Sequence, residues 1–374
     1  MNVRIASLSS KMSVIWLIVF FACGIAAAQS PGAAASKRKE EAAKKGLVYL
    51  TKAEIIEGAK KEAKLVVAPG YDEETRTRIV EAFQKAYPFI KEVDWRIVQG
   101  NDGEHRQVLE LKAGRANVDV MSPHQAYYSE YRKFNPFKNY DLKAMAQDGQ
   151  LRIHPDMIDD SGLVVWLGSG TGVLLYNSKI VAKDKIPTGW DSCLDPQWKG
   201  KFSVDTKPVT LVRLIPRWGE EKLMDFARKL KANDPIWSQG SVAPRLAAGE
   251  FSLVCGALLH STKRLLKKDP TLPIGIVIPD PLGIGLTEPE AVYANARNPN
   301  GSLLWLEFLA SAEGQRVVEE VNPGKGSLLI EGTIAHKLAQ GANVSLCGPG
   351  CFDRIDQLMR RIAVEAWGFP KAAK

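Results

Sequence analysis

Hydrophobic positions along this chain alternate between short unbroken runs and helical spacing. Residues 64–68 (KLVVA) form a compact apolar run stopped by Pro69-Gly70, the pattern of a buried strand. Asp72 stands where a helix cap is needed, and Ile79, Phe83 and Ala86 recur on one face of a helix reaching about Tyr87. A second strand is predicted at 93–98, a helix around 104–113 and a third strand at 118–121. This alternation predicts a parallel sheet covered by helices, with ligands meeting the loops at the carboxyl ends of the strands. Those loops are 69–72 and 122–125.

Strand-like runs at 164–167 and 173–176 flank Gly168-Ser169-Gly170-Thr171-Gly172. A glycine-rich run invites a dinucleotide-binding reading, but VLLYN continues as strand and offers no helix N-terminus to a pyrophosphate. The run therefore reads as a flexible crossing between two lobes. The second half repeats the logic. Strands are predicted at 201–204, 251–256 and 274–278, an apolar helix after 206–210, and an amphipathic helix at 220–231 with Leu223, Phe226 and Leu230 on one face. Ser241 is placed to cap a helix running through Arg245 to Ala248. Residues 279–287 return the chain to the first lobe, where 302–308 and 313–321 form helices. The predicted limits are 63–166 with about 286–326 for lobe 1, and about 167–285 with about 327–374 for lobe 2.

The N-terminus bears on the compartment. Arg4 and Lys11 precede a short apolar run at 14–25, and Ala26-Ala27-Ala28 supplies the small residues of a cleavage site. Residues 1–28 thus read as a secretory signal peptide, leaving a soluble periplasmic protein; Cys23 lacks the neighbours of a lipoprotein site. Residues 29–62 read as a leader followed by a short helix, with 29–45 (rich in Ala, Lys and Glu) mobile or frayed. The net charge of +8, to which Arg4 and Lys11 contribute two, is compatible with anionic solutes. The basic clusters Lys263-Arg264 and Lys267-Lys268 have no interleaved aromatics, which argues against nucleic acid.

Catalytic signatures are missing from the sequence: no phosphate-binding P-loop, no H-E-x-x-H, no G-x-S-x-G. The five histidines are scattered without metal spacing, so neither a cofactor nor an enzyme is expected. Cys347 and Cys351 flank Gly348-Pro349-Gly350, a turn that suits a small structural disulfide in an oxidising compartment; Cys193 and Cys255 are either paired or simply buried.

Several stretches together resemble one family. Trp190-Asp191 with Leu194-Asp195-Pro196-Gln197-Trp198-Lys199-Gly200-Lys201 resembles the "W-x-D-L-x-D-P-x-W-K-G-K" segment of bacterial extracellular solute-binding proteins, in the branch that includes ferric-ion-binding proteins. Ala82-Phe83 with Tyr87-Pro88, Leu246 to Glu250, and Phe308 to Gln315 resemble further segments in the same order. The resemblance spans residues 64–334. It implies an α/β, type II periplasmic-binding fold: two α/β lobes joined by crossing strands, with the ligand cleft between them. It also implies a monomeric receptor that hands a small solute to an ABC-importer permease in the inner membrane.

In the ferric branch an adjacent tyrosine pair follows the "G-E" strand. The resemblance places Leu259 and His260 there, and the acidic first-lobe segment reads Ser122-Pro123-His124-Gln125. Hard cations prefer oxygen donors, so the expectation turns to a small anionic or organic solute. A ferric or other metal receptor with an altered ligand set is the alternative, and a secreted enzyme on the same clamp the alternative of another class. Tyr127-Tyr128 reads as packing. Tyr71 is a candidate to stack on or hydrogen-bond the ligand, and His124 and His260 to approach it from opposite lobes. Thr206, Ser241 and Arg245 are candidate anion contacts, and Glu288 a candidate acceptor from an ammonium group.

Overall fold

The glycine-rich run crosses between the halves as strand, not as a loose linker: residues 165 to 177 form one unbroken strand, buried along nearly its whole length. The computed structural model describes residues 31–71, 73–98, 100–123, 127–240 and 242–370. The predicted signal peptide, the Asp72 cap, His124 and Ser241 therefore lie outside the described residues. Two helices come first, α1 (Pro31–Lys44) and α2 (Lys52–Glu62). Then follow β1 (Lys64–Ala68), α3 (Glu73–Ala86), β2 (Glu92–Trp95), α4 (Gly100–Lys112) and β3 (Val120–Met121), in the predicted order. Short helices α5 (Tyr128–Phe134) and α6 (Leu142–Gln147) lead into β4 (Val165–Asn177). Beyond it lie β5 (Phe202–Asp205), α7 (Val209–Val212), α8 (Ile215–Ala232), β6 (Ile236–Ser238), α9 (Ala243–Ala247), β7 (Leu253–Leu258), α10 (Leu259–Lys268) and β8 (Ile274–Val277). Strand β9 (Leu282–Val292) returns the chain, followed by α11 (Pro299–Ala310), α12 (Ala312–Val321), α13 (Ile334–Ala339), β10 (Val344–Cys347) and α14 (Pro349–Arg361). Among the described residues no helix is long and apolar enough to cross a membrane.

The strands join in the order β2-β1-β3-β9-β4-β7-β5-β6, with β10 added to β9 and β8 to β4. Parallel pairs β1–β2 and β1–β3 build one half, and parallel pairs β5–β6 and β5–β7 the other. Antiparallel β4 and β9 run through the middle and serve both halves. Their ladder pairs Trp166 with Pro289 and Gly168 with Thr287, so Leu167 and Glu288 fall at an irregularity. Glu288 there adopts a positive φ of 52°, a conformation that side chains disfavour.

One apolar core lies in the first half, and a second joins α4, β3 and α5 of that half to the elements of the other. Around the first, Trp305 meets Phe83 and Trp95 edge-on, under the cover of α2, α3, α11 and α12. Two carboxylates fasten that half. Asp119, just before β3, accepts from the backbone N–H groups of Val66, Arg297 and Asn298. Buried Glu307 accepts from Lys52 and from Arg152 at 3.0 Å. The segment expected to be a mobile or frayed leader is a docked helix from Pro31 on. Thr51 and Glu54 close a capping box on α2, and both guanidinium arms of Arg38 on α1 donate to Asp148 at 2.7 Å.

In the second half Trp190 and Phe226 pack edge to face beside the Cys193–Cys255 disulfide. Pairing, one of the two fates left open for these cysteines, is the one observed. Cys347 and Cys351 also form a disulfide, as the turn between them predicts. The loops closed differ in length, with separations of 62 and 4 residues. Loop-closure entropy therefore favours the longer bridge, by about 2 kcal/mol. Replacing both Cys193 and Cys255 by Ala is expected to lower the thermal midpoint clearly more than replacing both Cys347 and Cys351 by Ser, as read by calorimetry under non-reducing conditions.

Candidate functional site

A cavity of about 470 Å³ opens where the carboxyl ends of β1 and β3 face the start of α7 and of α10, with the β4–β9 ladder behind it. Its walls are Ala68 to Tyr71, Ile97, Val98, Glu104, Gln107 and Ser122 on one side, and Val209, Arg213, Leu258 and His260 on the other. Thr287, Glu288, Pro289 and Lys325 complete it from the crossing segments.

The governing group is Arg213, at the end of the apolar helix α7. Only 2% of it is exposed. No hydrogen bond or ion pair satisfies Nε or Nη1 among the described residues. Desolvation lowers its pKa to about 10, which still leaves it charged at neutral pH. The guanidinium lies flat on the crossing strands at Gly170 and Gly285. A Cβ at Gly170 would come within 2.7 Å of its Nη1, and one at Gly285 within 2.5 Å of its Nε. Two of the glycines thus provide room for a buried cation.

Lys325 faces the same cavity, ion-paired to Glu288 at 2.5 Å. Gly70 makes space for that pair, since any Cβ there would collide with the second Glu288 oxygen. His260 opens α10 with its Nδ1 buried and unpartnered. Burial first, then the charges of Lys325, Arg213 and Arg264, hold its pKa well below the ordinary histidine value, so the imidazole is neutral. The backbone N–H groups at the start of α10 have no side-chain cap. Together these features give the second wall a positive potential beside hydrogen-bond donors.

Of the residues singled out from sequence, Tyr71, His260 and Glu288 come together in this cavity. The Tyr71 hydroxyl points to the Leu167 carbonyl at 3.4 Å, and burial raises its pKa. Glu288 is buried against Lys325 rather than carrying a surface salt bridge. Thr206 does not reach the cavity; its N–H donates to Ser238 in the sheet. Arg245 also lies outside, paired to Glu250 at 2.7 Å and stacked on Phe251, because its helix face turns to solvent. Leu259 points into the apolar core and is 1% exposed. Tyr128 is packing, as expected of the pair Tyr127-Tyr128, with its hydroxyl on Asp159 at 2.7 Å. Arg213, Lys325, Thr287, Glu104 and Gln107 were not anticipated. A lone arginine inside the apolar run 209–215 (VTLVRLI) was the available signal.

A second cavity of about 440 Å³ adjoins the first, separated from it by Val209 and Leu258 and edged by Lys207, Arg264 and Lys268. At the rim, Lys268 of α10 pairs with Glu74 of α3 at 2.8 Å, and Lys267 donates to the Glu320 carbonyl of α12. These contacts tie the two halves together across the opening. Among the described residues no group of three or more His, Cys, Asp and Glu side chains converges as a metal site.

Comparison with known proteins gives a family model described as "Bacterial extracellular solute-binding protein", matching residues 120–325, more than half of the chain. No curated protein matches. Several solved structures share the fold. The apo ferric ion-binding protein A of Pasteurella haemolytica is 16% identical, with a TM-score of 0.64 over 83% of this chain and 99% of that one. The substrate-binding protein of an ABC transporter from Agrobacterium tumefaciens is 19% identical, with a TM-score of 0.62 over 82% and 95%. The periplasmic binding protein AfuA of Actinobacillus pleuropneumoniae, with fructose-6-phosphate bound, is 17% identical, with a TM-score of 0.58 over 83% and 99%. The expected two-lobed periplasmic-binding architecture is therefore the fold of this chain.

Behind the cavity, Glu290 is fully buried on β9 and accepts from Trp305 Nε1 at 2.9 Å. Burial raises its pKa to about 8 from an ordinary 4.5, and the nearby Glu288 charge adds to this against the Trp305 hydrogen bond. Folded Glu290 thus holds its proton more tightly than unfolded Glu290. Its contribution to stability is complete below about 4.5 and is lost as pH rises toward about 8. Glu290→Gln keeps an acceptor for Trp305 and removes this loss. Relative to wild type it is expected to gain on the order of 2 kcal/mol between pH 5 and pH 8 in denaturant unfolding.

Proposed function

Because the chain belongs to the bacterial extracellular solute-binding proteins, we propose that it is the receptor of an ABC importer, closing two lobes around a small anionic solute in the periplasm. Its family makes it a binding protein, not an enzyme. The observation that carries the anion is Arg213, a guanidinium buried in the cleft with no counter-charge among the described residues. An isolated buried cation costs several kcal/mol, and a carboxylate or phosphoryl group entering the cleft would offset that cost. The neutral His260, the open start of α10, Thr287 and Lys325 surround the same space with hydrogen-bond capacity.

The hinge belongs in β4 and β9, because both strands run through the two halves of the sheet. Lobe 1 is then 63–166 with about 286–326, and lobe 2 about 167–285 with about 327–374. Closure buries the ligand and presents a matched surface to the permease. The ferric reading is less favoured. Several solved structures with this fold are described by their iron or ferric-ion binding, but here Arg213 would repel a trivalent cation, and Leu259 offers it no donor.

Arg213→Met tests the reading, since it keeps an unbranched, flexible stem and removes the charge. Wild type is expected to rise by several degrees in thermal midpoint with millimolar organic phosphates or carboxylates, and the rise should vanish in the variant. Without solute the variant should be no less stable than wild type, because an uncompensated charge has been removed. Stabilisation by ferric ion and by no anion would sink the proposal.

A further inference from the structure

Opposite the cationic wall, α4 turns two polar side chains into the cleft. Glu104 and Gln107 are three residues apart and so share one helix face, and both line the cavity. Among the described residues, Glu104 Oε2 is buried with no donor and Gln107 Nε2 is buried with no acceptor. Gln107 is only 6% exposed. The hydroxyl of the neighbouring Tyr131 makes no hydrogen bond to Glu104. Leaving such groups unmet is costly, and a protein seldom retains them without use.

One unmet acceptor beside one unmet donor specifies the chemistry of the missing partner. An ammonium group only donates, and would leave the Gln107 amide unmet. A methyl group would leave both unmet. A hydroxyl donates and accepts at once. We infer that the solute is a hydroxylated anion, such as a hydroxy acid or a polyol phosphate, whose hydroxyl is held by Glu104 and Gln107 while its anionic group faces Arg213. This rests on the anion reading above and narrows it. Burial pushes the Glu104 carboxyl up to about 7, and no cation pairs with it among the described residues, as suits a neutral dipolar partner. Between the polar ends the walls are apolar, at Ile97, Val98, Val209, Leu258 and Pro289, which suits a short carbon skeleton.

Two matched series test this by titration calorimetry on the full mature chain. One is 3-hydroxypropionate, propionate and β-alanine; the other is glycerol 3-phosphate, propyl phosphate and 3-aminopropyl phosphate. In the series whose anion binds, the hydroxylated member should be at least tenfold tighter than either companion. That preference should disappear in Glu104→Leu and in Gln107→Leu. Equal affinity across a series, tighter binding of the amine, or a preference that survives both substitutions would overturn the inference while leaving the anion reading intact. Should no member of either series bind wild type, both readings fail. If a leucine variant does not fold, the ranking in wild type alone decides.

Discussion

A guanidinium held in the protein interior without a counter-ion among the described residues is the constraint around which this cleft is organised. Arg213 sits at the end of a short, largely apolar helix in which only Thr210 is polar, against the two strands that join the halves of the molecule. Its volume requires that Gly170 and Gly285 have no side chains. Its charge helps keep His260 neutral, so that the imidazole can act as either donor or acceptor. The neighbouring cation Lys325 is balanced by Glu288, which leaves Arg213 as the uncompensated charge of the pair.

That balance has its own structural cost. Glu288 reaches Lys325 from a left-handed backbone conformation in the middle of a strand, at the irregular point of the β4–β9 ladder. Such strain persists where the surroundings hold it in place. Here the ion pair does so from one side, and the bare backbone at Gly70 leaves room for the carboxylate on the other. The acids of β9 lie toward the first half, and the free cation toward the second. The cleft is therefore polarised across its mouth, and a solute with different groups at its two ends has one preferred orientation in it.

The sequence conveyed the architecture well and the cleft only in part. Unbroken apolar runs such as 64–68 and amphipathic spacing such as Leu223, Phe226 and Leu230 follow from burial on a sheet or helix, and they survived folding. The glycine-rich run misled, because glycine suits a loose linker as well as a strand that must admit a neighbour's side chain; only the position of Arg213 distinguishes the two. Thr206 and Arg245 lie outside the cavity for other reasons. The N–H of Thr206 extends the sheet edge toward Ser238, and Arg245 lies on a five-residue helix that carries too little periodicity to fix which face meets solvent. Glu104 and Gln107 were illegible because α4 is polar throughout its middle, and a polar face turned to a ligand has the same composition as one turned to water.

Overall shape and cleft chemistry thus obey different rules in this molecule. The fold is shared with proteins of 16–19% identity, because many apolar sequences fill the same two cores. The cleft is far less tolerant, since each buried charge or unpaired amide there must be matched by something that arrives from outside. A trivalent cation would meet Arg213 with like charge, whereas a phosphoryl or carboxylate group would complete a network that the chain alone leaves open. The shared fold therefore leaves the choice of ligand to the side chains that line the cleft rather than to the strands that carry them.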